Sequence, residues 1–358
     1  MVGRLTRRGF AAVAAMAIWG TARSTTTHAG LGSVLPAPSP TEWSLFRERF
    51  ITPGGRIVDT GNGGASHSEG QGWALLMAEA HDDRATFDRV LAWTRRELKR
   101  PYDSLHAWRW MPNRPLAVED GNNAADGDIF IAWALVRAAR RWNRPELMEM
   151  ASGICADLAR LCVKQVAGRT VLLPAAAGFD RREHVVVNPS YYVFPAFADL
   201  AATVGQDGPW MDLYRDGLLL LREARFGRWG LSPDWVQLSR QGGRPAPASG
   251  WAPRFSYDAM RVPLYLAWGG LAMEPAARAA VTFWTWNGLP YQPAWTEFAG
   301  DQLASYPIGP AQRAIAALAQ NPVGPVSLPS VRDAEDYYAA ALILLSRMAL
   351  AERLPLLA

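Results

Sequence analysis

Lysine is almost missing from this chain. Lys99 and Lys164 stand alone among 37 lysines and arginines. Four of the arginines, Arg4, Arg7, Arg8 and Arg23, fall within residues 1–29, which hold no acid, and beyond them 33 basic residues meet 33 acidic ones. A chain so balanced has no basic field with which to hold nucleic acid. The preference for Arg over Lys reflects coding bias more than mechanism. Cysteine is scarce as well. Cys155 and Cys162 lie on one expected helix, where seven residues at 1.5 Å rise put their Cα atoms about 10 Å apart, too far for a disulfide. Two free, buried thiols are expected. Cys-x-x-Cys and His-Glu-x-x-His are absent, so no zinc pattern is visible. Gly-x-Ser-x-Gly and Gly-x-Gly-x-x-Gly are missing too. No apolar run is long enough to span a membrane.

What is present is a chain of 358 residues, 49% hydrophobic, with enough length for one large domain and its core. Sixteen tryptophans are the compositional outlier. Core packing accounts for most of them. Others could line a groove, where an indole stacks on the apolar face of a sugar while its N–H bonds a hydroxyl. Thr6-Arg7-Arg8-Gly9-Phe10 precedes an apolar stretch to Ala22, and Thr27-His28-Ala29 supplies small residues at the first and third positions. These read as a twin-arginine export signal cleaved after Ala29, with residues 30–358 as a single domain in the periplasm or secreted. An ordinary amphipathic N-terminal helix is the competing reading. Leu35 to Pro40 reads as a stiff lead-in.

Most of the remainder has helical periodicity. Helices are expected over 43–50, 69–80, 83–96, 124–142, 145–163, 189–204, 210–226, 257–272, 275–287, 310–318 and 333–351. Thr170 to Leu173 and His184 to Val187 are short β-branched runs that suggest a small hairpin. Residues 229–235 read as a loop, and the Gly/Pro-rich 241–253 as a surface loop. Helices arriving in pairs with little strand fit a toroid of hairpins or a solenoid, and periodicity does not choose between them.

Three acids stand at the starts of expected helices. Glu69 follows a glycine-rich loop (Gly61, Gly63, Gly64), Asp126 lies in Asp126-Gly127-Asp128, and Asp258 in Ser256-Tyr257-Asp258-Ala259. Each has a plain structural reading. Ser66-x-x-Glu69 fits a capping box. Asn123-x-x-Asp126 fits a helix cap. Asp128 could complement a helix dipole, and Asp126 with Asp128 could hold a divalent ion. Asp258 could pair with Arg261. The functional reading takes them together. Loops before the inner helices of a toroid converge on one end. Glycosidic bonds need one protonated carboxyl for the leaving oxygen and one ionised carboxylate to activate water or attack.

At these residues the chain resembles glycoside hydrolase family 8. Within that family it is similar to the periplasmic endoglucanases of bacterial cellulose-synthesis operons. The shared motifs are Ser68-Glu69-Gly70-Gln71, the run Ala124 to Trp142, Leu172-Leu173-Pro174, Gly178-Phe179, Asn188 to Tyr191, Leu231 to Trp235 and Ser256 to Val262. Ala124-Ala125 stands where the family often has Ala-Ser, a departure that touches no acid. The resemblance implies an (α/α)6 barrel and an inverting endo-β-1,4-glucanase that needs no metal or cofactor. It makes Glu69 the proton donor and Asp258 the general base. Asp126 would hold and distort the sugar, Tyr191 and Arg261 would place the water and orient the base, and Trp108 and Trp110 would be stacking platforms. Inversion would set the Glu69 and Asp258 carboxyls roughly 6.5–9.5 Å apart. The expected partner is β-1,4-glucan, with the cellulose synthase machinery as a second, and the chain is expected to be monomeric. Two other readings stay open. One is the same fold acting on xylan, chitosan or mixed-linkage glucan; the other is a non-catalytic glucan-binding partner of the synthase.

Overall fold

The computed structural model describes residues 39–204, 208–320 and 326–353. The expected export signal lies outside the described residues. Eleven α-helices occur among those described: α1 (Pro40–Phe50), α2 (Ser68–Ala80), α3 (Arg84–Glu97), α4 (Ala125–Trp142), α5 (Pro145–Cys162), α6 (Phe194–Thr203), α7 (Trp210–Glu223), α8 (Arg261–Trp268), α9 (Pro275–Thr285), α10 (Pro310–Ala319) and α11 (Tyr337–Arg353).

Two kinds of helix alternate. In α2, α4, α8 and α11 nearly every side chain is buried, as in Trp73 to Ala78, Ile129 to Val136 and Ala340 to Leu345. A helix that is apolar all round belongs inside. α3 instead buries one stripe, including Phe87, Val90, Leu91 and Thr94, and turns arginines to solvent. Its start is fixed by Asp83, whose carboxylate accepts from the Thr86 N–H at 3.0 Å. The inner helices close a ring in which α2 packs on α4, α4 on α6, α6 on α8, α8 on α10, α10 on α11, and α11 back on α2. Outer helices α3, α5, α7 and α9 lie between successive inner ones in the chain, and α1 packs on α11. Between α10 and α11 the described residues hold only a 3-10 turn, Val331–Asp333, where a sixth outer helix would stand. This is an (α/α)6 barrel.

A small β-hairpin is present, but its strands differ from those expected. Arg169–Leu172 pairs with Val163–Val166, the segment that continues α5. His184–Val187 pairs instead with Val236–Ser239, which also pairs with Ala246–Pro247. The two β-branched runs therefore serve different sheets. The stretch before α8 is a second difference. Residues 257–260 form a turn and α8 begins only at Arg261. Cys155 and Cys162 are free and buried, and burial raises both thiols to about 12. No helix among the described residues is long and apolar enough to cross a membrane.

Candidate active site

The N-termini of the inner helices point to one end of the ring, and the acids meet there. α2 and α4 cross closely because glycines sit at the crossing. A Cβ on Gly127 would stand 2.7 Å from the Glu69 backbone nitrogen and 2.8 Å from the Ser68 carbonyl carbon. On Gly72 it would stand 2.7 Å from the Phe130 Cβ. No side chain fits either gap, so the glycine between Asp126 and Asp128 is what lets Asp126 lie beside Glu69. Gln71 holds α2 from the other side, accepting from the Ile57 N–H at 2.7 Å and donating to Thr94 Oγ1 at 2.8 Å.

Arg261 joins the three acids. Its Nη1 contacts Glu69 Oε1 and lies 3.6 Å from Asp126 Oδ2, while its Nη2 lies 2.8 Å from Asp258 Oδ1. Nη2 also donates to Ser190 Oγ at 2.7 Å, so the guanidinium is held in place on both edges. Glu69 and Asp258 thus sit on different nitrogens of one guanidinium. The Arg261 and Asp126 side chains are nearly buried, with 4% and 3% of their surface exposed; Asp258 keeps 36%, open to the cleft. One cation among three carboxylates leaves the cluster short of positive charge. Burial first, with the neighbouring Asp128 charge adding to it, raises Asp126 to about 7, against the Gly127 N–H and Tyr191 hydroxyl that favour its ionised form. Burial and the charges of Asp234 and Asp126 raise Asp258 to about 7, against donors on Asn188 and Trp235. These carboxyls interact, so the two values belong to the cluster more than to either residue.

The capping readings fail at both helices. α2 is capped by His67 and α4 by Ala124, neither through a side chain, and Glu69 is drawn onto Arg261. The two acids of Asp-Gly-Asp part company. Asp128 turns to His106, accepting from its backbone N–H at 3.0 Å and meeting its ring Nδ1 at 2.9 Å, and its second oxygen accepts from Asn123 Nδ2 at 3.0 Å. Protein donors reach both oxygens, and no group of three or more metal-ligating side chains occurs among the described residues. Asp128 instead anchors the loop that carries Trp108, whose carbonyl accepts from the Ser68 N–H at 3.1 Å.

The cluster floors a cleft of about 640 Å³. Trp108 lines it, stacked on His67 with ring centres 6.0 Å apart, its indole N–H donating to Asp120 at 2.9 Å. Tyr191 lines it beneath Arg261. Trp110 does not. Its ring meets the edge of Trp93 at 5.7 Å and carries Arg56 at 4.9 Å, so it packs the β-ladder between Ser66–His67 and Arg109–Trp110. The platform expected at Trp110 is thus not among the residues lining this cleft. In its place Trp235 and Trp251 line the cleft, stacked on each other at 5.2 Å and continued by Phe179 at 5.6 Å from Trp235. Trp235 was visible in the Ser-Pro-Asp-Trp motif. Trp251 lies in the Gly/Pro-rich segment, where nothing in the pattern marked it. Tyr257 and Tyr338 close the other side, with the Tyr338 hydroxyl donating to the Tyr257 carbonyl at 2.5 Å. Asp234 was also unassigned. It accepts from the backbone N–H groups of Ser256 and Ala259, each at 2.9 Å, and from the Ser256 hydroxyl.

A cluster of carboxylates around one arginine, in an open cleft walled by aromatic rings, is equipped to bind and hydrolyse a polysaccharide. The family model for glycosyl hydrolases family 8 matches residues 6–352. The chain belongs to that family and is a glycoside hydrolase. It is 39% identical over 320 residues to a probable endoglucanase of Novacetimonas hansenii, covering 88% of this chain and 93% of the relative. It is 39% identical to an endoglucanase of Cellulomonas uda over 74% of this chain and 73% of that one. Among solved structures it is similar to an endo-β-1,4-glucanase of Acetobacter xylinum (TM-score 0.81, 39% identity, 87% of this chain and 97% of that one). It is also similar to a family 8 endoglucanase of Klebsiella pneumoniae (TM-score 0.83, 36% identity, 87% and 99%).

Proposed function

We propose that this hydrolase is an endo-β-1,4-glucanase acting with inversion of configuration. The observation that carries the reading is Arg261 gathering Glu69, Asp126 and Asp258 on the floor of an open, aromatic-walled cleft. Glucan lies across Trp108 and the Trp235–Trp251 pair with its scissile bond over the cluster. Glu69 gives a proton to the leaving glycosidic oxygen. Asp258, ionised, takes a proton from a water that attacks the anomeric carbon from the opposite face. Inversion requires these two carboxyls roughly 6.5–9.5 Å apart, with room for that water. Asp126, supported by Tyr191, holds the distorted sugar at the cleavage point, and Arg261 orients Asp258.

The context is a proposal as well. The leader-like residues 1–29 support export to the periplasm or beyond, and the resemblance to cellulose-operon enzymes supports trimming of nascent glucan beside a synthase, by a monomer. The test is release of reducing ends from carboxymethyl-cellulose, mixed-linkage glucan, xylan and chitosan, by residues 30–358 and by Glu69→Gln in parallel. Release confined to the β-glucans and abolished in the variant is the expected result. Release from xylan or chitosan alone would replace the substrate. No release from any polymer by a folded protein would favour a glucan-binding partner.

A further inference from the structure

We propose that Asp234 is a positioning residue for hydrolysis: its carboxylate holds the turn that presents Asp258 and keeps a negative charge beside that base. The proposal rests on Asp258 being the base. Asp258 lies outside α8, in a turn closed by the Met260 N–H on the Ser256 carbonyl at 2.9 Å and the Arg261 N–H on the Asp258 carbonyl at 3.1 Å. Tyr338 holds it from α11 through the Tyr257 carbonyl, and one carboxylate ties its backbone N–H groups to the loop before it. Asp234 Oδ1 accepts from the Ser256 and Ala259 N–H groups at 2.9 Å each, and Oδ2 accepts from the Ser256 hydroxyl. These bonds bracket Asp258 on both sides. The Asp234 backbone N–H donates in turn to the Arg254 carbonyl at 2.8 Å, which ties the loop to the strand entering the turn. The next residue, Trp235, walls the cleft. One dipeptide therefore carries both the support of the base and a face for the sugar.

The site has more support than a turn needs. A carboxylate 5% exposed, with only Arg254 at 3.6 Å to balance it, is a costly acceptor for three donors that a neutral side chain could satisfy in part. Burial raises the Asp234 carboxyl, against the Ser256 hydroxyl and the Ala259 and Ser256 N–H groups that favour its charge, and that charge raises Asp258 alongside Asp126. Asp258 is also faced by Arg261 from α8 and by the phenols of Tyr191 and Tyr338, with Glu69 reaching it through Arg261. Arg261 opposes the two aspartates, so removing Asp234 tips the balance toward the ionised base.

Asn at 234 keeps the oxygen that accepts from both N–H groups and removes the charge. The expected result for Asp234→Asn is a rising limb of kcat/KM that moves to lower pH by about half a unit or more. Asp234→Ala loses the bonds too, and kcat falls by about tenfold or more with KM little changed. Ser256→Ala removes one bond, keeps the charge and leaves the limb where it was. An unmoved limb in Asp234→Asn overturns the proposal, as does a wild-type kcat in Asp234→Ala. If the alanine variant does not fold, the Asn limb decides alone. A wild-type enzyme with no activity on any glucan would remove the glucanase reading itself. A wild-type profile that Asp234→Asn superimposes on would remove only the role of Asp234.

Discussion

The same inner helices carry charges at both ends of the barrel, and the two ends are built differently. α2 bears Glu69 near its start and Glu79 near its end, about 15 Å further along. α4 bears Asp126 and then Arg137. At the far end Arg137 bridges Glu79 at 2.7 Å and Glu352 at 2.8 Å, Arg141 meets Glu79 at 2.6 Å, and Trp268 donates to Glu352 at 2.6 Å. Two cations meet two anions. Burial works against the Arg137 charge, but Glu352 and Glu79 outweigh it and raise its pKa. At the active end one cation meets three anions, and carboxyls rise to about 7. The far cluster is the more buried of the two, with side chains 4–13% exposed against 19% for Glu69 and 36% for Asp258. The count of charges decides whether a buried cluster is settled or poised to exchange protons.

That contrast can be broken by removing charge. Glu69→Gln or Asp258→Asn is expected to cost about 10²- to 10⁴-fold in kcat, measured on soluble β-glucan, with Tm kept or raised because the end is over-supplied with anions. Glu79→Gln should do the reverse. Taking away the carboxylate that Arg137 and Arg141 share is expected to cost about 3 kcal/mol in denaturant unfolding, with kcat of the folded enzyme retained. Comparable Tm losses at both ends would end the comparison.

Packing at the α2–α4 crossing sharpens it next. Gly127→Ala forces Glu69 and Ser68 back, and about 1–3 kcal/mol of stability should be lost together with most of the activity. An active Gly127→Ala enzyme would show that Glu69 and Asp126 need not lie so close. The two tryptophans of the aromatic loop should separate more mildly. Trp108→Ala is expected to raise KM up to about tenfold, the size of one stacking contact, while Trp110→Ala costs stability and leaves KM alone.

A further effect is on stability against pH. Asp126 and Asp258 have folded pKa values raised to about 7, so between pH 4 and 7 the folded chain binds protons that the unfolded chain releases. Stability therefore falls as pH rises through that window. His67, lowered to about 4 by burial and by Arg109, acts in the opposite sense, but one imidazole faces two carboxyls. The expected outcome is a Tm higher at pH 5 than at pH 7, with a flatter profile in Asp126→Asn. A Tm that climbs over this range would contradict the raised carboxyls.

How much of this could be read in the chain depended on whether a residue acts through local pattern or through distant partners. The inner helices were legible because α2 and α4 are apolar around their whole circumference. Glu69 and Asp126 were legible as acids at helix starts, and Asp258 as one expected there that stands in the turn before α8; local pattern offered capping roles for the first two, and the structure gives those helices other caps. Arg261 was expected to orient the base, but its hold on all three acids joins residues 192 positions apart in sequence, from Glu69 to Arg261, which no local spacing shows. Trp110 could not be told from Trp108 because an aromatic two residues along looks the same in sequence whether it lines the cleft or packs on Trp93. The strand partners misled for a like reason: β-branched runs announce strands but not whom they pair with.

The most direct test is the anomer first released from a β-1,4-gluco-oligosaccharide, followed by proton NMR before mutarotation. The account predicts the α-anomer, produced by water that Asp258 activates across from Glu69. A β-anomer first would mean a retaining, covalent mechanism, and the roles assigned to the carboxylates around Arg261 would be wrong.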